Sequence, residues 1–219
     1  MDVANTFFLG QFQEDIFEDL EDLIYLDIGD NLYNMTVPTL LTELPNLKAL
    51  YAYDCGLEGK VQEFVPRFKH HMFELWMDNN NLRGSLPTQL GAITGLASLS
   101  LSDNAITGTI PTEIGNLLDM EQMWLYGNYL TGDIPTEIGS MAKLRILGLE
   151  DNDLDGAEMP TEICDLNLVD LGADCKDGVK CDCCTCCQHP CPVTSMRVFD
   201  HNARFLLDDQ QDRFLLGLD

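Results

Sequence analysis

Eight cysteines crowd the last third of the chain: Cys164, Cys175, then Cys181, Cys183, Cys184, Cys186 and Cys187 close together, and Cys191. Thiols at that density either pair as disulfides in an oxidising compartment or, as thiolates, hold a soft metal such as zinc or copper; beside a membrane they can also be acylated. Disulfide stapling of a C-terminal cap is the primary expectation, and no metal is assigned. A second pattern, Asp151-x-Asp153-x-Asp155-Gly156-x5-Glu162, satisfies the calcium-loop spacing of an EF-hand. Its Asn152, Leu154, Gly156, Pro160 and Ile163 already serve another periodicity, and Glu158 stands where the loop wants an apolar residue, so the match is read as coincidence. No phosphate-cradling glycine loop, nucleophile elbow, paired-histidine metal motif or kinase signature occurs. The four histidines are scattered, with only His70 and His71 adjacent. Neither catalytic residues nor a cofactor is expected.

The elements that must position these groups are set by a repeat. Leu23, Leu47, Met72, Leu96, Met120, Leu144 and Leu168 stand 24 residues apart, save one gap of 25. Two further apolar positions follow each at a strand's period of two, as in Leu26 and Ile28, Leu75 and Met77, or Leu147 and Leu149. Three residues later comes a column of Asn31, Cys55, Asn80, Asn104, Asn128 and Asn152. An amide there both donates and accepts, so stacked copies can tie each turn to its neighbours, and Cys55 is a tolerated variant. Recurrent glycines and apolar-Pro pairs such as Ile110-Pro111 and Ile134-Pro135 then bend the chain and end any ladder.

The stretches LASLSLSDNAITGTIPTEIGNL and MEQMWLYGNYLTGDIPTEIGSM resemble the plant-specific leucine-rich-repeat family over roughly residues 20 to 175. The resemblance implies an α/β solenoid, a right-handed superhelix of about six 24-residue repeats with a parallel β-sheet on its concave side and 3₁₀ or loop segments on its back. Four segments are expected. Residues 1–19 form an N-terminal cap built on Phe7, Phe8, Phe12, Ile16 and Phe17, and residues 20–175 the repeat domain. Residues 176–191 form a cysteine-rich cap, for LGADCKDGVKCDCCTCC is similar to the ends of algal leucine-rich-repeat proteins. Residues 192–219 form a flexible acidic tail in which Arg204-Phe205-Leu206-Leu207 is echoed by Arg213-Phe214-Leu215-Leu216. The second repeat, with Gln62 in place of proline and the segment VPRFKHH, predicts an irregular back surface.

On each strand the residues between the buried ones point out of the concave face. One such column holds Asp27, Tyr51, Trp76, Ser100, Trp124 and Gly148; the next holds Gly29, Tyr53, Asp78, Ser102, Tyr126 and Glu150. Both tryptophans of the chain fall there, and Tyr25 lies just before. Exposed aromatic rings are typical binding anchors, so Tyr25, Tyr51, Tyr53, Trp76, Asp78, Trp124, Tyr126 and Glu150 are the expected ligand-binding residues. The competing expectation is that neighbouring rings simply stack on one another. A third column, Asp30, Asp54, Asn79, Asp103, Gly127 and Asp151, reads as small polar residues beside the turn.

With 37 acidic against 12 basic residues and a formal charge of -25, the chain repels phosphate backbones and anionic lipid. The expected partner is a protein or peptide, basic by charge complementarity, with a glycan as a second class; nucleic acid and membrane insertion by this chain are not expected. No signal-peptide pattern opens the sequence and no apolar run is long enough to span a membrane, whereas the cysteines suit an oxidising compartment. The expectation that joins these is an extracellular or membrane-anchored protein whose leader or anchor belongs to a longer parent. Asn34-Met35-Thr36 is its one N-glycosylation sequon. The family resemblance implies non-catalytic recognition through the concave face, as in receptor-like kinase and receptor-like protein ectodomains; the alternatives are a secreted inhibitor of a cell-wall-degrading enzyme or a structural, metal-binding protein.

Overall fold

The computed structural model describes residues 17–155, 158–175 and 179–185. Most of the expected N-terminal cap, with Phe7, Phe8, Phe12 and Ile16, lies outside these residues, as do Cys186, Cys187, Cys191 and the tail 192–219.

The strands form where the apolar period of two places a leucine or methionine inward. They are β1 (Tyr25–Asp27), β2 (Ala49–Tyr51), β3 (Glu58–Lys60), β4 (Glu74–Trp76), β5 (Asn81–Ser85), β6 (Ser98–Ser100), β7 (Ala105–Gly108), β8 (Gln122–Trp124), β9 (Tyr129–Leu130), β10 (Ile146–Gly148) and β11 (Asp170–Gly172). A seven-stranded sheet runs β1-β2-β4-β6-β8-β10-β11, and a four-stranded sheet runs β3-β5-β7-β9. Every pairing is parallel and couples equivalent positions of successive repeats, such as Leu75 with Leu99 and Leu99 with Met123. The fold is therefore the leucine-rich-repeat solenoid.

One apolar core runs the length of the stack, from Phe17 through Leu50, Leu75, Leu99, Met123 and Leu147 to Val179. The regular coils close on their backs with single 3₁₀ turns, Thr88–Ala92, Thr112–Asn116 and Thr136–Ser140, each entered from an extended proline. Their central glycines let neighbouring coils approach closely: a Cβ on Gly91 would lie 2.0 Å from the backbone oxygen of Glu113. The second repeat differs. A short helix, Val61–Phe64, leads directly into a 3₁₀ turn, Val65–Arg67, and Phe64 and Phe68 meet edge to face at 6.5 Å. Among the described residues no helix is long and apolar enough to cross a membrane.

The ladder column ties the coils together. Asn104 donates through Nδ2 to the carbonyls of Met77, Leu101 and Ser102, and its Oδ1 accepts from the Leu82 N–H at 2.9 Å. Asn80, Asn128 and Asn152 repeat this arrangement. Asn31, in the first coil, donates to Ile28 and Gly29 within its own turn. Cys55 replaces the donor half alone: its thiol reaches the carbonyls of Ile28 and Tyr53 at 3.1 Å, while the Tyr33 and Asn34 N–H groups turn to the Cys55 carbonyl. At the far end the Asp174 carboxylate accepts from the N–H groups of Asp151 and Asn152, closing off donors that would otherwise face no further coil.

Candidate ligand-binding face

The concave face is a grid. Strand register aligns Glu74, Ser98, Gln122 and Ile146 in one row and Trp76, Ser100, Trp124 and Gly148 in the next. Backbone hydrogen bonds continue the alignment to a third row, Asp78, Ser102, Tyr126 and Glu150. The outward side chains of the middle strand, β6, are Ser98 and Ser100, with Ser102 just beyond it, and all are too short to fill the space between the tryptophans on either side. The two indoles lean across them and meet edge to face with centroids 6.1 Å apart, and Trp76 Nε1–H donates to Ser98 Oγ at 2.8 Å. Tyr51 stacks edge-on against Trp76 at 5.1 Å, and Tyr25 follows at 5.2 Å, so the aromatic column runs unbroken from β1 to β4.

This geometry corrects the expectation of exposed rings. Trp76, Trp124 and Tyr126 are buried and form, with Tyr51 and Ile146, an apolar cluster of their own. Tyr53 is buried too; a Cβ on Gly29 would lie 2.3 Å from its ring, so the phenol occupies the space that the glycine leaves. Asp78 and Glu150 are also buried, and only Tyr25 and Tyr51 are half-exposed. The reason lies in neighbouring positions: small residues on one strand let large ones from the next fold over them. The tryptophans nonetheless stay out of the solenoid interior, whose core cluster contains neither.

The electrostatics of the face are one-sided. Burial raises the Glu74 carboxyl from its usual range to about 7. Burial likewise raises Asp78 to about 7, against a lowering hydrogen bond from Ser100, with Asp54 and Asp103 adding repulsion. Tyr51 donates its hydroxyl proton to Glu74 Oε2. Asp78 Oδ1 and Gln122 Oε1 are buried and accept no hydrogen bond from the described residues. Both are acceptors on the concave face, at opposite ends of the serine trough, and each would gain from a ligand donor.

Glu74, Ser98 and Gln122 were absent from the site expected from sequence. They occupy the column that precedes the two aromatic columns by the same period of two, and that period was the available signal. The column Asp30, Asp54, Asn79, Asp103, Gly127 and Asp151 has a backbone cause: each residue has φ between 49° and 63°, the left-handed region that Asp, Asn and Gly tolerate.

At the C-terminal end Cys164 pairs with Cys183 and Cys181 with Cys184, while Cys175 is also disulfide-bonded. The sulfurs of Cys175, Cys181 and Cys184 lie within 4.8 Å of one another, but their donor capacity is taken up in these bonds. Cys55 is a buried free thiol, and burial lifts it to about 12, which keeps it protonated and unreactive. Asp151, Asp153, Asp155 and Glu162, the calcium-like pattern, form no such convergent group among the described residues. Asn34 is exposed on its loop at φ 45°.

A family model for the leucine-rich repeat matches residues 95–117. No curated protein matches the sequence. Among solved structures, the ectodomain of the plant membrane receptor kinase GASSHO1/SCHENGEN3 from Arabidopsis thaliana, in complex with CASPARIAN STRIP INTEGRITY FACTOR 2, is 26% identical with a TM-score of 0.67, covering 82% of this chain and 24% of that one. The plant peptide hormone receptor RGFR1, in complex with RGF2, is 25% identical with a TM-score of 0.67, covering 82% and 32%. A plant ice-binding protein is 26% identical with a TM-score of 0.60, covering 73% and 49%. The chain thus spans a quarter to a third of the length of these receptor ectodomains. The chain shares the leucine-rich-repeat solenoid fold and is similar over most of its length to plant receptor ectodomains built from such repeats.

Proposed function

We propose that this protein is a non-catalytic recognition module whose concave face binds a peptide or protein segment through a cationic side chain. The observation that carries this reading is the pair of buried, unengaged acceptors, Asp78 Oδ1 and Gln122 Oε1, on a face that also holds Glu74 and two indoles. A guanidinium or ammonium group would satisfy those acceptors, lie beside aromatic rings and favour the ionised carboxylates. The fold does not choose by itself, since an ice-binding protein shares it, and the acceptors of the concave face are what support recognition. That RGFR1 is a peptide hormone receptor supports a peptide ligand as the class, and the disulfides suit an extracellular or cell-surface setting. The eight concave residues from Tyr25 to Glu150 named from sequence keep their ligand-contacting role in this proposal, joined by Glu74 and Gln122.

Selection from a synthetic decapeptide library tests it. The wild-type protein is expected to enrich sequences containing Arg or Lys, and Asp78→Asn combined with Glu74→Gln to lose that enrichment by about tenfold, the scale of removing one charge-assisted contact. Equal enrichment by both proteins, with unchanged thermal unfolding, would remove the concave carboxylates from recognition.

A further inference from the structure

The C-terminal end gathers more sulfur than its pairings require. Cys181 and Cys184 are bonded to each other, yet the Cys175 sulfur lies within 4.8 Å of both, and the Cys183 sulfur stands 3.8 Å from that of Cys181. No other three Cys, His, Asp or Glu side chains converge in this way among the described residues. All four cysteines are half-buried, so the group is within reach of solutes. The Cys181–Cys184 bond spans three residues of sequence, against 19 for Cys164–Cys183. A ring that short takes little freedom from the unfolded chain, so stability alone does not account for the bond.

The same sulfurs suit a metal. Cys181-x-x-Cys184 has the ligand spacing of zinc sites. With Zn–S bonds of about 2.3 Å, the sulfurs of a tetrahedral site stand about 3.8 Å apart. Cys181 and Cys183 already have that separation, and Cys175 needs to close by no more than about 1 Å. Anchors other than disulfides flank each ligand. Asp174, next to Cys175, accepts from the N–H groups of Asp151 and Asn152. Lys180, next to Cys181, accepts from the Met159 N–H at 2.9 Å and pairs with Glu158. Thr185, next to Cys184, donates its N–H to the Leu171 carbonyl at 2.9 Å and accepts from the Leu171 N–H at 2.8 Å. Reduction leaves these groups intact, so they bring the thiols together whenever the reduced end closes.

We propose that Cys175, Cys181, Cys183 and Cys184 form a redox-gated site for a thiophilic metal ion of the zinc class. In the oxidised chain the sulfurs are disulfides and hold no ion. A thiol reductant delivers two electrons and two protons to each bond and is itself oxidised to a disulfide. The four thiols then lose their protons to solvent as they bind Zn²⁺. Oxidation runs the step backwards, restoring the disulfides and expelling the ion. Because the ion binds only the closed end, it selects that form and takes over the disulfides' part in holding β11. Glu158, Asp174 and Asp182 lie beside the ligands in sequence or space and favour a cation there. The site is separate from the concave face and does not depend on what binds there.

The test uses the full-length protein, reduced with a phosphine in the absence of oxygen, loaded with zinc and desalted before its metal content is measured. Loading with cobalt instead reads the ligands through the thiolate-to-metal charge-transfer absorption. Wild type is expected to keep about one ion per chain after reduction and none before it. Hydrogen exchange is expected to show that zinc returns protection to Asp170–Gly172 in the reduced chain. Cys175→Ser/Cys181→Ser/Cys184→Ser should lose both the ion and the absorption, while Cys164→Ser, which leaves all four ligands in place, keeps both. Far-ultraviolet circular dichroism checks that each protein retains its solenoid. Zinc absent from reduced wild type, retained by the triple variant, bound equally by unreduced wild type or lost equally from Cys164→Ser overturns the proposal.

Discussion

Glu74 and Asp78 are carboxyls whose charge is opposed by their surroundings, and both have pKa values raised to about 7. A raised carboxyl pKa means that the folded state holds its proton more tightly than the unfolded chain does. The resulting stabilisation is complete below about pH 4, declines as pH rises towards 7, and is gone above it. Thermal unfolding is therefore expected at a lower temperature at pH 7.5 than at pH 5. General repulsion from a charge of -25 adds to that trend, so the diagnostic quantity is the difference between proteins. Asp78→Asn with Glu74→Gln should flatten the pH dependence by at least about 1 kcal/mol; an unaltered dependence would show that these two groups titrate normally. The asparagine ladder makes a second residue-scale test. Asn104→Ala orphans the Leu82 N–H and takes one of two donors from the carbonyls of Met77, Leu101 and Ser102, which keep Asn80, Asn128 and the Asn79 N–H, and should cost about 2–3 kcal/mol. Cys55→Ala loses only the thiol contacts to Ile28 and Tyr53 and should cost about 1 kcal/mol. Urea denaturation that failed to rank Asn104→Ala as the worse of the two would contradict the division of labour described for the column.

At the scale of a coil, the turn after each concave strand is held in a left-handed conformation by a single residue. Asp103 is one of these, at φ 49°. Replacing it with glycine removes the steric penalty and should leave stability within about 0.5 kcal/mol, whereas Asp103→Val should cost about 1–2 kcal/mol, since a β-branched residue resists positive φ. Chemical denaturation of the two variants checks the order, and equal stabilities would place the constraint elsewhere. This column also shows where reading the sequence stopped. The repeat length, the inward leucines and the asparagine column are contacts between equivalent positions of adjacent coils, and they recur visibly in the letters. The conformational role of Asp30, Asp54, Asn79, Asp103, Gly127 and Asp151 was hidden because three residue types share one backbone state. Closure of Trp76 and Trp124 over the serines of β6 was hidden for a different reason. It depends on the particular sizes of three neighbouring strands, Glu-Leu-Trp, Ser-Leu-Ser and Gln-Met-Trp, rather than on any repeat average. Glu74 and Gln122 follow from the same period of two once the strand is extended by one position.

The whole molecule is a one-dimensional stack, so its stability is local and its open ends are the weak points. Among the described residues the last strand, β11, is held by pairing with β10 on one side only. What secures it lies in the short segment that follows: Thr185 hydrogen-bonded to Asp170 and Leu171, buried Val179, and the Cys164–Cys183 bridge across 19 residues. A loop of that length closed by a disulfide is worth about 3 kcal/mol. Reduction should therefore release the final coil without unfolding the rest. Hydrogen exchange is expected to show loss of protection at Asp170–Gly172 first and at Ile146–Gly148 next, with Ser98–Ser100 and Gln122–Trp124 retained. Because Glu150 follows β10 directly and Asp174 caps the turn behind it, the same treatment should open one edge of the concave face and raise the accessibility of Trp124 before that of Trp76. Simultaneous loss of protection in all seven strands would mean instead that the stack unfolds as one unit and that its cysteine-rich end is no more than a remote anchor.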